Sequence, residues 1–163
     1  MKVLVATEKP FAKKAVEGIR EIVEGAGYEF ALLEKYADRS ALLAAVADAD
    51  ALIVRSDKVT AEVIAAAPNL KIVVRAGAGY DNVDLAAASA RGIVVMNTPG
   101  QNSNAVAELA IAMMIFMARN RFTPGTGSEI QGKTLGIHAY GNVGRLVGRK
   151  GKALGMRVVA YDP

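Results

Sequence analysis

Short apolar, β-branched runs alternate with alanine-rich segments of helical period along the first hundred residues. "KVLVAT" at Lys2–Thr7 is a continuous apolar run of the kind that forms a strand covered on both faces. In "AKKAVEGIREIVEGAG", which follows, Val16, Ile19, Ile22 and Val23 recur at helical spacing, with Gly25 and Gly27 near the stop. The same alternation predicts a strand around "YEFALLE", a helix around "SALLAAVADA" and a strand "ALIVRS" at Ala51–Ser56. "TAEVIAAAP" then reads as a short helix stopped by Pro68, "KIVVRAG" as a strand, "DLAAASARG" as a helix and "IVVMNT" as a strand. Strands alternating with helices predict an α/β domain with a doubly wound parallel sheet, because right-handed crossovers place the helices on both faces. Ligands of such sheets bind beyond the carboxyl ends of the strands.

After "NTPGQNSN" comes "AVAELAIAMMIFMARN", a long helix that Ser103 or Asn104 can cap. It is apolar nearly all the way round, with Glu108 and Arg119 its only charges, so burial between domains or between subunits is expected. Met113, Met114 and Met117 are read as packing residues. "RFTPGTGSEIQGK" is a loop with one proline and three glycines. The pattern then resumes as strand "KTLGIHA", helix "NVGRLVGRKGKALG" and strand "RVVAYD", one further βαβ unit. The expected division is a first domain at 1–98 and, at 99–163, a connecting helix with the start of a second domain.

Chemistry is expected where the apolar runs end. Arg55 and Ser56 follow one strand, Arg75-Ala76-Gly77-Ala78-Gly79 the next, and Asn97-Thr98-Pro99-Gly100 the third. Two arginines leaving neighbouring strands beside exposed backbone N–H groups would form an anion pocket, since the planar guanidinium donates in pairs. The alternative is that they pair with surface acids such as Asp57 and Asp81, the glycines serving only a tight exit turn.

In the closing unit the turn Ala139-Tyr140-Gly141-Asn142-Val143-Gly144 stands where G-x-G-x-x-G would mark a dinucleotide site. Alanine at the first glycine position is tolerable if φ stays negative there. Gly141 would let a pyrophosphate approach the backbone, the N–H groups of Asn142 and Val143 open a helix whose positive end favours phosphate, and Gly144 would allow close helix–strand packing. Asp162 ends the second strand 18 residues beyond Gly144, where an acid can hold both ribose hydroxyls and repel a 2′-phosphate, favouring NAD over NADP. Its alternative role is in a strand-terminating turn with Pro163. His138, inside the strand before the turn, is rejected as a catalytic base.

Composition narrows the partners. With 163 residues, 52% apolar and 22% charged, the chain suits one to two globular domains. The absence of cysteine excludes disulfides and thiolate metal sites, and a lone histidine argues against zinc. The N-terminus enters a strand directly, and "ELAIAMMIFMARN" is far shorter than the roughly twenty apolar residues of a membrane span, so a cytoplasmic protein without membrane contact is expected. The net charge of +4 is scattered apart from Arg145, Arg149, Lys150, Lys152 and Arg157, and no nucleic-acid partner is expected.

The stretch from "LIVRSDKVTAEVIAAAPNLKIVVRAGAGYDNVD" through "NTPGQNSNAVAELA", with "GKTLGIHAYGNVGR" and "GMRVVAYDP", resembles the D-isomer-specific 2-hydroxyacid dehydrogenase family, most closely its branch acting on 3-phosphoglycerate. The resemblance covers essentially the whole chain. It implies a flavodoxin-like substrate domain followed by the first βαβ unit of a Rossmann NAD-binding domain, with the active site in the cleft between two domains. It implies NAD-dependent oxidation of a 2-hydroxy acid, 3-phosphoglycerate to 3-phosphohydroxypyruvate in serine biosynthesis. By the resemblance Arg55, Ser56, Arg75, Gly77 and Asn102 face the substrate, Ala78 and Val106 flank the nicotinamide, and Tyr140, Gly141, Asn142, Val143, Gly144 and Asp162 hold the rest of the cofactor. The helix at 103–119 resembles the family's dimer-forming helix, so a homodimer, with exchanged arms as one form, is expected. Three features depart from the family pattern: Ala139, the short loop before the closing unit, and an end to the chain ahead of the family's substrate-orienting arginine, glutamate and general acid/base histidine. On that basis no catalytic residue is assigned and no useful turnover is expected. The competing expectation is a non-catalytic flavodoxin-like core whose βαβ arm packs on a partner.

Overall fold

The computed structural model describes every residue from Met1 to Pro163. They form two compact units, Met1–Pro99 and Gly100–Pro163.

The first unit is a five-stranded parallel sheet made of β1 (Lys2–Thr7), β2 (Glu29–Glu34), β3 (Ala51–Val54), β4 (Ile72–Arg75) and β5 (Val94–Asn97) in the order β2-β1-β3-β4-β5. Helices α1 (Lys13–Gly25), α2 (Arg39–Val46), α3 (Ala61–Ala65) and α4 (Leu85–Ala90) make the crossovers. This is the doubly wound α/β architecture expected from the alternation. The chain leaves β1 toward β2 on one side and later enters β3 on the other, so the sheet reverses direction between β1 and β3, where such folds open a crevice. Val5, Leu52, Val54 and Val73 on the strands are fully buried, together with Val46, Val63 and Ile64 on the helices. Burial on both faces explains why these strands read as unbroken apolar runs.

Local chemistry sets the helix ends. The Asp38 carboxylate accepts from the Ser40 N–H at 2.9 Å to start α2, and that of Asp84 accepts from the Ala87 N–H at 2.9 Å to start α4. The Arg91 guanidinium closes the end of α3, donating to the carbonyls of Ile64, Ala67 and Pro68. Two expectations need correction. Ile22 is 75% exposed, one position off the stripe that buries Val23. The third strand stops at Val54, since the last register pair is Val54 with Arg75, and Arg55 and Ser56 turn out to solvent.

The second unit holds α5 (Ser103–Ala118), a 3-10 turn at Asn120–Phe122, β6 (Thr134–His138), α6 (Asn142–Ala153) and β7 (Arg157–Tyr161). β6 and β7 pair in parallel from Thr134 with Arg157 to His138 with Tyr161. α6 packs against α5, and the Lys150 ammonium lies 3.5 Å from the Glu108 carboxylate. Neither Ser103 nor Asn104 caps α5: Asn102 holds the capping position without a side-chain bond, and the Asn104 amide donates to Glu108 at 2.7 Å instead. Within this chain α5 buries only Ser103 and Ala107, leaving Leu109, Met113 and Met117 each about 60% exposed. No helix is long and apolar enough to cross a membrane.

Candidate functional site

In the first unit the carboxyl ends of β3 and β4 carry the two arginines. Beyond the last register pair, the Ala76 N–H still reaches the Val54 carbonyl at 2.8 Å, so the two strand exits stay side by side. Arg75 crosses to its neighbour, its Nε donating to the Arg55 carbonyl at 2.9 Å. Gly77 leaves room for this arrangement, because the guanidinium of Arg75 lies where a Cβ at 77 would stand and would have to move aside for one. The Gly77 carbonyl accepts from the Thr98 N–H at 2.9 Å, and the Ala78 carbonyl from the Asn97 side chain at 2.7 Å, so the end of β5 supports the glycine loop. Arg55 and Ser56 are exposed, and neither Arg55 nor Arg75 forms a salt bridge. The pairing with Asp57 or Asp81 that offered an alternative is not made.

Asp57, read from sequence only as a surface acid, is 5% exposed. One oxygen of its carboxylate accepts from the Glu8 N–H at 2.7 Å and the Tyr36 hydroxyl at 2.5 Å, while its backbone carbonyl accepts from the Asn82 side chain at 2.8 Å. Burial first, then the bond to Asp57, holds the Tyr36 phenol well above the usual tyrosine range. Beside this cluster lies a cavity of about 270 Å³ lined by Glu8, Tyr36, Arg39, Leu42, Ser56, Asp57 and Lys58. The sequence signals for Asp57, Tyr36 and Asn82 were weak because their partners lie 21 to 49 residues apart along the chain.

In the second unit the dinucleotide-type turn is drawn tight. The Ala139 N–H donates to the Tyr161 carbonyl at 2.8 Å and the Tyr140 N–H to the Asp162 carboxylate at 3.0 Å, so the acid closes the turn from the neighbouring strand. Ala139 has φ +76°, the left-handed conformation. The condition of negative φ is therefore not met, and the alanine stands where the backbone demands glycine geometry. Tyr140 contributes through its backbone: its carbonyl accepts from Arg145 Nε at 3.0 Å, and its ring lies back over Gly148. A Cβ at Gly144 would strike the Ala139 carbonyl, and one at Gly151 would stand 2.8 Å from Leu135 Cδ2, so these glycines set α6 close on β6.

Gly141 precedes α6 with open space above it, and no side chain caps the helix. An uncapped helix start with a clear approach is the cradle a pyrophosphate needs, and the exposed Asp162 carboxylate keeps a second oxygen for ribose hydroxyls. The residues present therefore fit a dinucleotide. Asn102 is exposed and Val106 is 41% exposed on the first turn of α5, and Asn142 and Val143 open α6. His138 is exposed on β6 with its ring stacked on Tyr161 at 5.5 Å, rather than held by packing in a core. No cluster of His, Cys, Asp and Glu fit to hold a metal is present.

Residues 3–155 match the family model for the D-isomer specific 2-hydroxyacid dehydrogenase catalytic domain. The chain belongs to this family. The D-3-phosphoglycerate dehydrogenase of Mycobacterium tuberculosis is 48% identical over 140 residues, covering 77% of this chain and 26% of that protein. The hydroxypyruvate reductase of Thermotoga maritima is 40% identical over 149 residues, covering 83% of this chain and 49% of that protein. Among solved structures, NAD+-bound 3-phosphoglycerate dehydrogenase from Entamoeba histolytica superimposes with a TM-score of 0.96 at 53% identity, over 100% of this chain and 54% of that one. The chain thus spans from about a quarter to about half the length of these dehydrogenase relatives.

Proposed function

We propose that this chain carries the anion-recognising unit and the opening of the NAD-binding unit of a 2-hydroxy acid dehydrogenase, with D-3-phosphoglycerate as the substrate. The observation that carries the cofactor half is the Asp162 carboxylate bonded to the Tyr140 N–H at the lip of an uncapped helix start. A carboxylate at the ribose position, one oxygen fixed by the Tyr140 N–H, repels a 2′-phosphate by charge and offers its second oxygen to the ribose hydroxyls. NAD bound there supplies the hydride acceptor for oxidation of the hydroxyl carbon.

On this reading residues 1–98 are the substrate domain and residues 99–163 begin the NAD domain. Arg55, Ser56, Arg75 and Gly77 bind the substrate anion. Two guanidinium groups free of carboxylate partners favour a substrate with two anionic groups, a carboxylate and a phosphate, over a plain hydroxy acid. The 53% identity to a 3-phosphoglycerate dehydrogenase supports the same choice. The work assigned to these residues is binding and orientation. The chain's one histidine, His138, stacks on Tyr161 and takes no part in this binding.

Calorimetric titration of the 163-residue protein tests this. NAD is expected to bind and NADP to bind at least tenfold more weakly, with Asp162→Ala abolishing the difference. Equal affinity for the two nucleotides in the native sequence would refute the cofactor assignment. For the substrate, Arg55→Ala and Arg75→Ala are each expected to weaken 3-phosphoglycerate binding by tenfold or more, the scale of a lost charge-assisted hydrogen bond.

A further inference from the structure

We propose that Asp57 is the positioning residue for the loop that carries Arg55 and Ser56, an inference that rests on the substrate role given to that loop. The loop leaves β3 at the point where the sheet reverses direction, and it has no strand or helix of its own until Ala61. Its placement therefore depends on what ties it down. Arg55 is held on the β4 side, by the Arg75 Nε on its carbonyl. At the far end the Val59 N–H donates to the Asn82 carbonyl at 2.8 Å, and the Val59 carbonyl accepts from the Asp84 N–H at 2.9 Å.

Asp57 supplies the ties on the opposite side. A single carboxylate oxygen receives the Glu8 N–H from the loop after β1 and the Tyr36 hydroxyl from the loop after β2, while the Asp57 backbone carbonyl adds a tie on the β4 side by receiving the Asn82 amide. Three flanking loops meet on one residue, two positions beyond Arg55. The other groups here do not neutralise it: Arg39 is paired with Glu62 at 3.1 Å, and Asp57 forms no salt bridge. A carboxylate buried to 5% exposure among neutral donors is costlier than an apolar side chain of the same size, so packing alone does not account for it. What it supplies is direction. Without it the Arg55–Ser56 segment is fastened only on its β4 side and is free to swing toward the cavity beside Tyr36.

The test compares binding of 3-phosphoglycerate and of NAD by the 163-residue protein, measured by calorimetry in Asp57→Ala, Asp57→Asn and Tyr36→Phe. Asp57→Ala is expected to weaken 3-phosphoglycerate roughly tenfold with NAD affinity unchanged, as two hydrogen bonds to one anchor are lost. Asp57→Asn keeps the accepting oxygen and is expected to restore most of the affinity, with Tyr36→Phe between the two. Leu42→Ala serves as a destabilised control and is expected to lower the melting temperature without separating the two ligands. If Asp57→Ala does not fold, the Asn and Phe variants decide: native-like 3-phosphoglycerate affinity in Tyr36→Phe overturns the proposal. If Arg55→Ala weakens 3-phosphoglycerate and Asp57→Ala does not, the positioning role alone is overturned. If Arg55→Ala has no effect, the substrate reading falls and this proposal with it.

Discussion

Ala139 shows most clearly how much one residue can hide. Its neighbours Gly141 and Gly144 identify the turn, yet its own backbone sits at φ +76°, where an L side chain costs about 1–2 kcal/mol. Ala139→Gly removes that cost but gives up about 0.5–1 kcal/mol to the looser unfolded chain. A net gain of about 0.5–1 kcal/mol is expected, read as a higher urea midpoint for the transition of the second unit. A lower midpoint would show that the turn relaxes around the alanine. Tyr36 is the other residue with a measurable signature. Its phenol is held above the usual range by burial and by Asp57, with Glu8 as the other charged neighbour. Below the unfolded-state pKa of about 10 the phenol is neutral in both states and its stabilisation is complete. As pH rises past 10 the unfolded chain ionises first, so stability is lost. A denaturation series from pH 8 to 11 is expected to show this fall in the native protein and a flatter profile in Tyr36→Phe.

Among the elements, α6 depends on being narrow. Gly144, Gly148 and Gly151 are buried along its inner side, facing the Ala139 carbonyl, the Tyr140 ring and Leu135. A methyl at Gly144 must displace backbone, because the carbonyl it would meet belongs to the turn itself. Gly144→Ala is expected to destabilise by about 1–3 kcal/mol, and to weaken NAD because the helix start shifts with it. Retained NAD affinity alongside lost stability would separate packing from the cradle. The strands of the first unit were legible for a simple reason. Runs such as "KVLVAT" and "ALIV" are buried on both faces, so every position carries the signal. The strand end at Val54 was not legible, because Arg55 and Ser56 follow without proline or glycine and only the length of the β4 ladder stops the pairing.

At the scale of the whole molecule, α5 presents exposed apolar surface. Leu109, Met113 and Met117 are each about 60% exposed on a helix with almost no polar face. Exposed apolar area of this kind marks an interaction surface. The homodimer that the family resemblance implies through this helix is checked by light scattering: a dimer mass is expected for the native protein, and a monomer for Met113→Glu with Met117→Glu. A monomer before substitution would remove α5 from consideration as the contact.

By itself the sequence determined the alternation of strands and helices, the parallel sheet and the position of the glycine turn. These are written in local periodicity and in short fixed spacings, which neighbouring residues impose on one another. The family resemblance was equally local, carried by the "RAGAGYDNVD" and "NTPGQNS" blocks. Only the tertiary structure decided that Asp57 is a buried anchor, that Asp162 bonds back to the Tyr140 N–H, and that Ala139 is left-handed. Each of these depends on groups far apart in the chain brought within 3 Å, or on a turn closed from a neighbouring strand. Burial and backbone strain of that kind arise from contacts that no short stretch of sequence contains.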